Sequence, residues 1–161
     1  HLIFTEGCQE GFALDQLHNW EHAERYGEAM IRDFNVGTVG WCDWNLLLDL
    51  RGGPNHVGNF CFSPIHADLE KGALIYTPSY YYIGHFSRFI PLGARRISAT
   101  SNRSFILTTA FLAPNGESVI CVVMNTRDTG CKYQLSLNGE SLALELPAQS
   151  IQTIISSSLD G

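Results

Sequence analysis

Thr38-Val39-Gly40-Trp41-Cys42-Asp43-Trp44-Asn45 is the stretch that decides the fold. It reads as one buried strand that runs out into Asp-Trp-Asn. A similar piece opens the chain: Leu2-Ile3-Phe4-Thr5 is short and apolar, and it leads into Glu6-Gly7. Between them lies a helical pattern over about residues 14–34. Leu17, Trp20, Ala23, Gly27, Met30 and Phe34 recur on one side, with Glu21, Glu24, Arg25, Glu28 and Arg32 mostly elsewhere. Asn35-Val36-Gly37 supplies the stop. Strand, crossover helix, strand implies parallel pairing, and a parallel sheet needs cover on both faces.

Downstream of Asn45 a loop rich in Gly, Pro and Asn is expected through about Phe62. Short extended pieces follow at 65–68 and 74–76. Pro78-Ser79 then opens a second helix to about Ile90, ended by Pro91-Leu92-Gly93. Two strands cannot form a stable sheet alone. Residues 1–93 are therefore expected to be the C-terminal part of a (β/α)8 TIM barrel, with upstream sequence preceding His1. No signal peptide is visible at the start.

From residue 94 to 161 the pattern changes. Short β-rich runs at 96–99, 104–112, 118–125, 132–137, 141–146 and 151–156 alternate with Pro114-Asn115-Gly116, Asp128-Thr129-Gly130 and Asn138-Gly139. Asn-Gly between two alternating runs is a strong type I′ hairpin signal. The second domain, 94–161, is expected to be an antiparallel β-sandwich, making the whole chain α/β plus all-β.

Composition narrows the function. The chain has 161 residues, 45 % of them apolar and 16 % charged, the balance of a globular protein. A net charge of −6 without a Lys/Arg cluster argues against nucleic acid. No apolar run is long enough to be a transmembrane segment. The five cysteines, Cys8, Cys42, Cys61, Cys121 and Cys131, form no CxxC pair and read as mostly buried free thiols. His18 and His22 stand at i and i+4, but no Glu follows His18, so surface or packing roles are expected. His85 is expected to be a packed, hydrogen-bonded histidine. No metal and no cofactor is implied.

Active sites of such barrels lie at the C-terminal strand ends. Glu6 and Asp43-Trp44-Asn45 occupy those places. A carboxylate followed by glycine can project into the mouth with little cover. An indole is a platform for the apolar face of a sugar ring. Positions 41 and 44 have opposite parity on a strand, and Trp44, nearer the end, is the better ligand candidate. Asn45 and Asn59 could offer amides to hydroxyls, although alone each is more often a turn residue.

Four segments in register are more specific: FTEGCQEG (Phe4 to Gly11), GWCDWNLLLD (Gly40 to Asp49), GGPNHVGNF (Gly52 to Phe60) and YYYIGHFSRFIPLG (Tyr80 to Gly93). Together they resemble the C-terminal third of glycoside hydrolase family 30, the family of glucosylceramidase (acid β-glucosidase). The resemblance implies a retaining glycosidase in which Glu6 is the nucleophile, Trp44 lines the sugar pocket and Asn59 lies near it. Asp43 is expected to be a hydrogen-bonding partner within the site, grouped with Trp44, Asn45 and Asn59 on the substrate side. His56 stands where the mammalian enzyme has an aromatic residue, and the wording is closer to bacterial members.

A retaining glycosidase needs two carboxyl groups about 5–5.5 Å apart. The family's acid/base lies in an Asn-Glu-Pro run, and neither Asn-Glu nor Glu-Pro occurs here. Glu10, in the same connection as Glu6, is a poor substitute. The expected partner carboxyl therefore lies upstream, and this piece alone is expected to be inactive. The expected substrate is a carbohydrate: a β-glucoside, glucosylceramide or a β-glucan. Endo-β-1,6-glucanase or β-xylosidase activity, and a non-catalytic carbohydrate-binding or scaffold domain, are the alternatives. A partial barrel exposes strand edges, so self-association is a further expectation. Localisation stays open, with a secreted or periplasmic parent in view.

Overall fold

Residues 1–156 are described by a computed structural model. Strand β1 (Leu2–Gly7) pairs in parallel with β3 (Thr38–Asp43), with Phe4 opposite Trp41 and Gly7 opposite Asp43. The helix between them, α1 (Trp20–Asn35), is shorter than its periodicity suggests. Leu14–Gln16 forms a separate 3-10 turn, and Asn19 caps the helix by accepting the Glu21 amide proton on Oδ1 at 3.0 Å. Gly37, at φ 101°, closes the other end in the left-handed conformation. Ala23, Tyr26, Gly27, Met30 and Ile31 are buried. Trp20 is an exception to the expected stripe: it is 44 % exposed and meets Tyr82 edge-on.

The stretch expected as one loop holds structure of its own. It contains β4 (Leu47–Asp49) and β5 (Cys61–Phe62), and β5 pairs antiparallel with β2 (Gln9–Glu10). Strand β4 pairs in parallel with β6 (Ile65–Asp68), which pairs antiparallel with β7 (Ala73–Tyr76). These strands have only two to four residues, too short to show a period. Helix α2 (Pro78–Ser87) starts where Pro78 and the Thr77–Ser79 hydroxyl pair place it.

The chain divides into two compact units: residues 1–26 with 37–83, and residues 27–36 with the chain from 84 onward. Residues of both helices thus fall in both units. In the second unit β8 (Arg95–Ile97), β9 (Ile106–Leu112), β10 (Val119–Asn125) and β13 (Ser150–Ser156) form an antiparallel sheet in the order β13-β10-β9-β8. Hairpin β11–β12 (Cys131–Leu137, Glu140–Leu146) supplies a second layer. Its turn is Asn138-Gly139, at φ 52° and 89°. Every residue of β10 is buried. One face of it, Val119, Cys121 and Val123, packs with Ile106, Ala110 and Leu146 against the hairpin's Tyr133 and Leu135. Phe111, on the opposite face of β9, meets Phe34 edge-on at 5.5 Å. His85 is packed as expected: Nδ1 and the Thr153 hydroxyl are 2.9 Å apart.

All five cysteines are free. Cys61 and Cys121 are buried and Cys8 and Cys131 half-buried, but Cys42 is exposed. Its β3 neighbour three residues back, Val39, is 60 % exposed too. Among the described residues no helix is long and apolar enough to cross a membrane.

Candidate active site

Glu6 is the last residue but one of β1, and it is exposed. Between Phe4 and Gly7 the register advances three residues on β1 against two on β3, from Trp41 to Asp43. Such a bulge breaks the alternation and re-aims the side chains within it. It releases Glu6 from the face on which Phe4 stacks against Trp41, ring centroids 4.9 Å apart and nearly coplanar. Glu6 forms no hydrogen bond or ion pair with any described residue.

The two strand ends are joined by the backbone. Trp44 donates its amide proton to the Gly7 carbonyl at 2.7 Å. Trp44 is 54 % exposed, whereas Trp41 is half-buried between Phe4, Gly7 and Tyr26. The two indoles therefore divide their roles: Trp41 is packing, and Trp44 is presented.

Asp43 shares the Trp41 side of β3. Its Oδ1 accepts from the Tyr26 hydroxyl at 3.0 Å and from the Trp44 amide at 3.0 Å, while Oδ2 is buried without a partner among the described residues. Burial raises the carboxyl to about 6, against the pull of those two donors toward the ionised form. The Tyr26 phenol is raised in turn, first by its own burial and then by Asp43. Tyr26 escaped the sequence reading, although a signal existed. It lies three residues after Ala23 and four before Met30, on the buried face, and a buried phenol seeks an acceptor.

Asn59 lies apart from that network. Its Nδ2 donates to Glu10 Oε1 at 3.0 Å, and its backbone amide donates to Asn55 Oδ1 at 3.1 Å. Glu10 is thus engaged by Asn59 across the β2–β5 connection. Asn45 is half-buried at the start of the connection to β4. Cys8 touches Cys61, and burial, then that contact, raise its thiol to about 12. Such a thiol is a poor nucleophile. His22 packs on the Phe62 ring, His18 is exposed, and among the described residues no three His, Cys, Asp or Glu converge on a metal position. A cavity of about 1100 Å³ lies between the sandwich layers, bordered by Ile97, Arg103, Phe105 and Tyr133, and none of the candidate residues lines it.

Comparison with known proteins converges on one family. Residues 1–90 match the glycosyl hydrolase family 30 TIM-barrel domain, and residues 93–154 match the family 30 beta sandwich domain. Lysosomal acid glucosylceramidase of Mus musculus is 40 % identical over 126 residues, covering 76 % of this chain and 24 % of its own. The crystal structure of SrfJ from Salmonella typhimurium superposes with a TM-score of 0.92 at 34 % identity, covering 98 % of this chain and 35 % of that one. An endo-β1,6-glucanase shares the fold at a TM-score of 0.83 and 23 % identity. The chain thus spans about a quarter of the length of the mouse relative. It carries the last strands and helices of the barrel, followed by the β-sandwich, and it belongs to glycosyl hydrolase family 30.

Proposed function

We propose that this chain is the C-terminal part of a retaining β-glycosidase, with Glu6 as its nucleophile. The observation that carries the reading is the exposed, unengaged Glu6 carboxylate at the end of a parallel strand whose neighbour presents Trp44. In the first step a Glu6 oxygen bonds to the anomeric carbon as the glycosidic C–O bond breaks. A carboxylic acid supplied by residues outside these 161 protonates the leaving oxygen. Water, deprotonated by that same group, then displaces Glu6 and regenerates the carboxylate. Trp44 stacks on the sugar, and Asn45 and Asn59 offer amides to its hydroxyls. Asp43 acts within the site as a hydrogen-bond acceptor.

The substrate we propose is a β-glucoside, glucosylceramide included, on the strength of the 40 % identity to a glucosylceramidase. The test uses the longer protein that contains this chain. Glu6→Gln is expected to lower aryl β-glucoside hydrolysis by roughly four orders of magnitude or more, as loss of a nucleophile does. A 2-deoxy-2-fluoro-β-glucoside should leave its sugar on the Glu6 peptide. Hydrolysis that survives Glu6→Gln removes Glu6 from the role.

A further inference from the structure

Tyr26 stands on a helix, 17 residues from Asp43 in sequence, yet its hydroxyl reaches the Asp43 carboxylate. The same carboxylate oxygen also receives the Trp44 amide, and that amide is shared with the carbonyl of Gly7. Four groups thus form one chain of contacts: the Tyr26 hydroxyl, Asp43 Oδ1, the Trp44 N–H and the Gly7 carbonyl. Its two ends matter for different reasons. Gly7 follows Glu6 directly, and Trp44 carries the presented indole. The Tyr26 ring adds a second constraint, meeting Trp41 edge-on at 5.6 Å while Trp41 closes over Gly7.

We propose that Tyr26, acting through Asp43, is a positioning residue that fixes the Trp44 backbone against Gly7 and so sets the strand ends bearing Glu6 and Trp44. This rests on the roles given to Glu6 and Trp44 above. Tyr26 touches no substrate in this scheme. Among the described residues it supplies the one side-chain donor to Asp43 Oδ1, whose other donor is the backbone of the very turn to be held. A donor to the ionised form also favours that form. The other titratable or charged groups near the pair are Cys8, from the β1–β2 connection, and Arg25, from α1. The Arg25 guanidinium is itself placed by a 2.6 Å bond to the Cys8 carbonyl. With Tyr26 lost, Asp43 keeps its burial and loses a donor, so its proton is released at higher pH.

The experiment compares wild type, Tyr26→Phe, Asp43→Asn and Tyr133→Phe in the longer protein. Tyr133 donates to Gln152 in the sandwich and controls for loss of a half-buried, hydrogen-bonded phenol. Tyr26→Phe should lower kcat/KM by roughly tenfold to a hundredfold, the scale of a misplaced reacting group. It should also move the acid limb of the pH profile upward. Asp43→Asn keeps an acceptor oxygen but cannot titrate, so the component that Tyr26→Phe moves should be missing from its profile. Tyr133→Phe should leave rate and profile as they are. Amide hydrogen exchange gives an arm independent of turnover: the Trp44 amide should exchange at least about tenfold faster in Tyr26→Phe, with β10 amides unchanged. Unchanged Trp44 exchange overturns the positioning role whether or not the protein hydrolyses glycosides. Wild-type protein that hydrolyses nothing, with accelerated Trp44 exchange in the variant, instead overturns the reading of Glu6 and leaves the tie intact. A Tyr26→Phe profile parallel to wild type also overturns the proposal.

Discussion

Gly7→Ala isolates the packing around the candidate nucleophile. A Cβ built on Gly7 falls within the van der Waals radius of the Trp41 indole, with Cζ2 and Cζ3 each 3.0 Å away. The indole cannot swing aside. Phe4 is stacked on it, centroids 4.9 Å apart at 9°, and the Tyr26 ring meets it at 5.6 Å and 68°. Gly7 is outside the left-handed region of backbone space, so the cost is steric alone. Overpacking of this kind costs about 1–3 kcal/mol, and a ring held on two sides belongs near the top of that range. At about 2–4 °C per kcal/mol for a chain of this size, thermal unfolding followed by circular dichroism should show a fall of roughly 4–12 °C. Trp41→Phe shortens the ring that meets the new methyl. Gly7→Ala in that background should therefore cost less than in wild type, giving a coupling energy of about 1 kcal/mol or more in the double-mutant cycle. An unchanged melting temperature in Gly7→Ala, or strict additivity in the cycle, would refute the account.

Two more predictions concern parts of the chain away from Glu6. His66 is fully buried, its Nε2 accepting from the Ser63 amide at 3.0 Å and its Nδ1 donating to the Asp49 carbonyl at 2.7 Å, and burial lowers its pKa below the ordinary 6.5. The unfolded chain then binds this proton more readily than the folded one. The contribution to stability is complete above pH 6.5 and is lost on acidification below it. The His66 ring resonance in NMR should show no titration centred at 6.5, and a normal midpoint there contradicts the buried neutral ring. Gly139→Ala places a Cβ at φ 89° in the β11–β12 turn and should cost about 1–2 kcal/mol, seen as faster amide exchange across that hairpin. An Asn138→Gly control should leave exchange close to wild type.

Much of this fold was legible because the deciding signals are local. Alternation and Asn138-Gly139 disclose the hairpin, and its strands begin within a residue of where the pattern places them. The parallel β1–β3 pair follows from two apolar runs separated by a helix. Strands β4 and β5 were not legible, since Leu47–Asp49 and Cys61–Phe62 are defined by distant partners rather than by a period. Trp20 misled because its helical spacing matches the buried stripe, while its position in the first turn of α1 leaves the ring near the edge of that face. At the candidate site, the strand-end positions of Glu6 and of Trp44 were legible from the apolar runs that precede them. The carboxylate of Asp43 was recognisable as a hydrogen-bonding group, but its partner Tyr26 was hidden, because a contact between a helix and a strand end leaves no trace in either segment alone.

The complete burial of β10 has a cost that is felt before the fold exists. Val119-Ile120-Cys121-Val122-Val123-Met124 is apolar throughout, rich in β-branched residues and free of charge, proline and glycine. Six or seven such residues in a row are the signature of segments that stack into cross-β fibrils once exposed. Until β9 and β13 flank this strand and the hairpin closes over it, a newly made chain carries an adhesive segment. Chaperone demand during synthesis, and yield after refolding from denaturant, are therefore set in the sandwich rather than at the strand ends that carry Glu6 and Trp44.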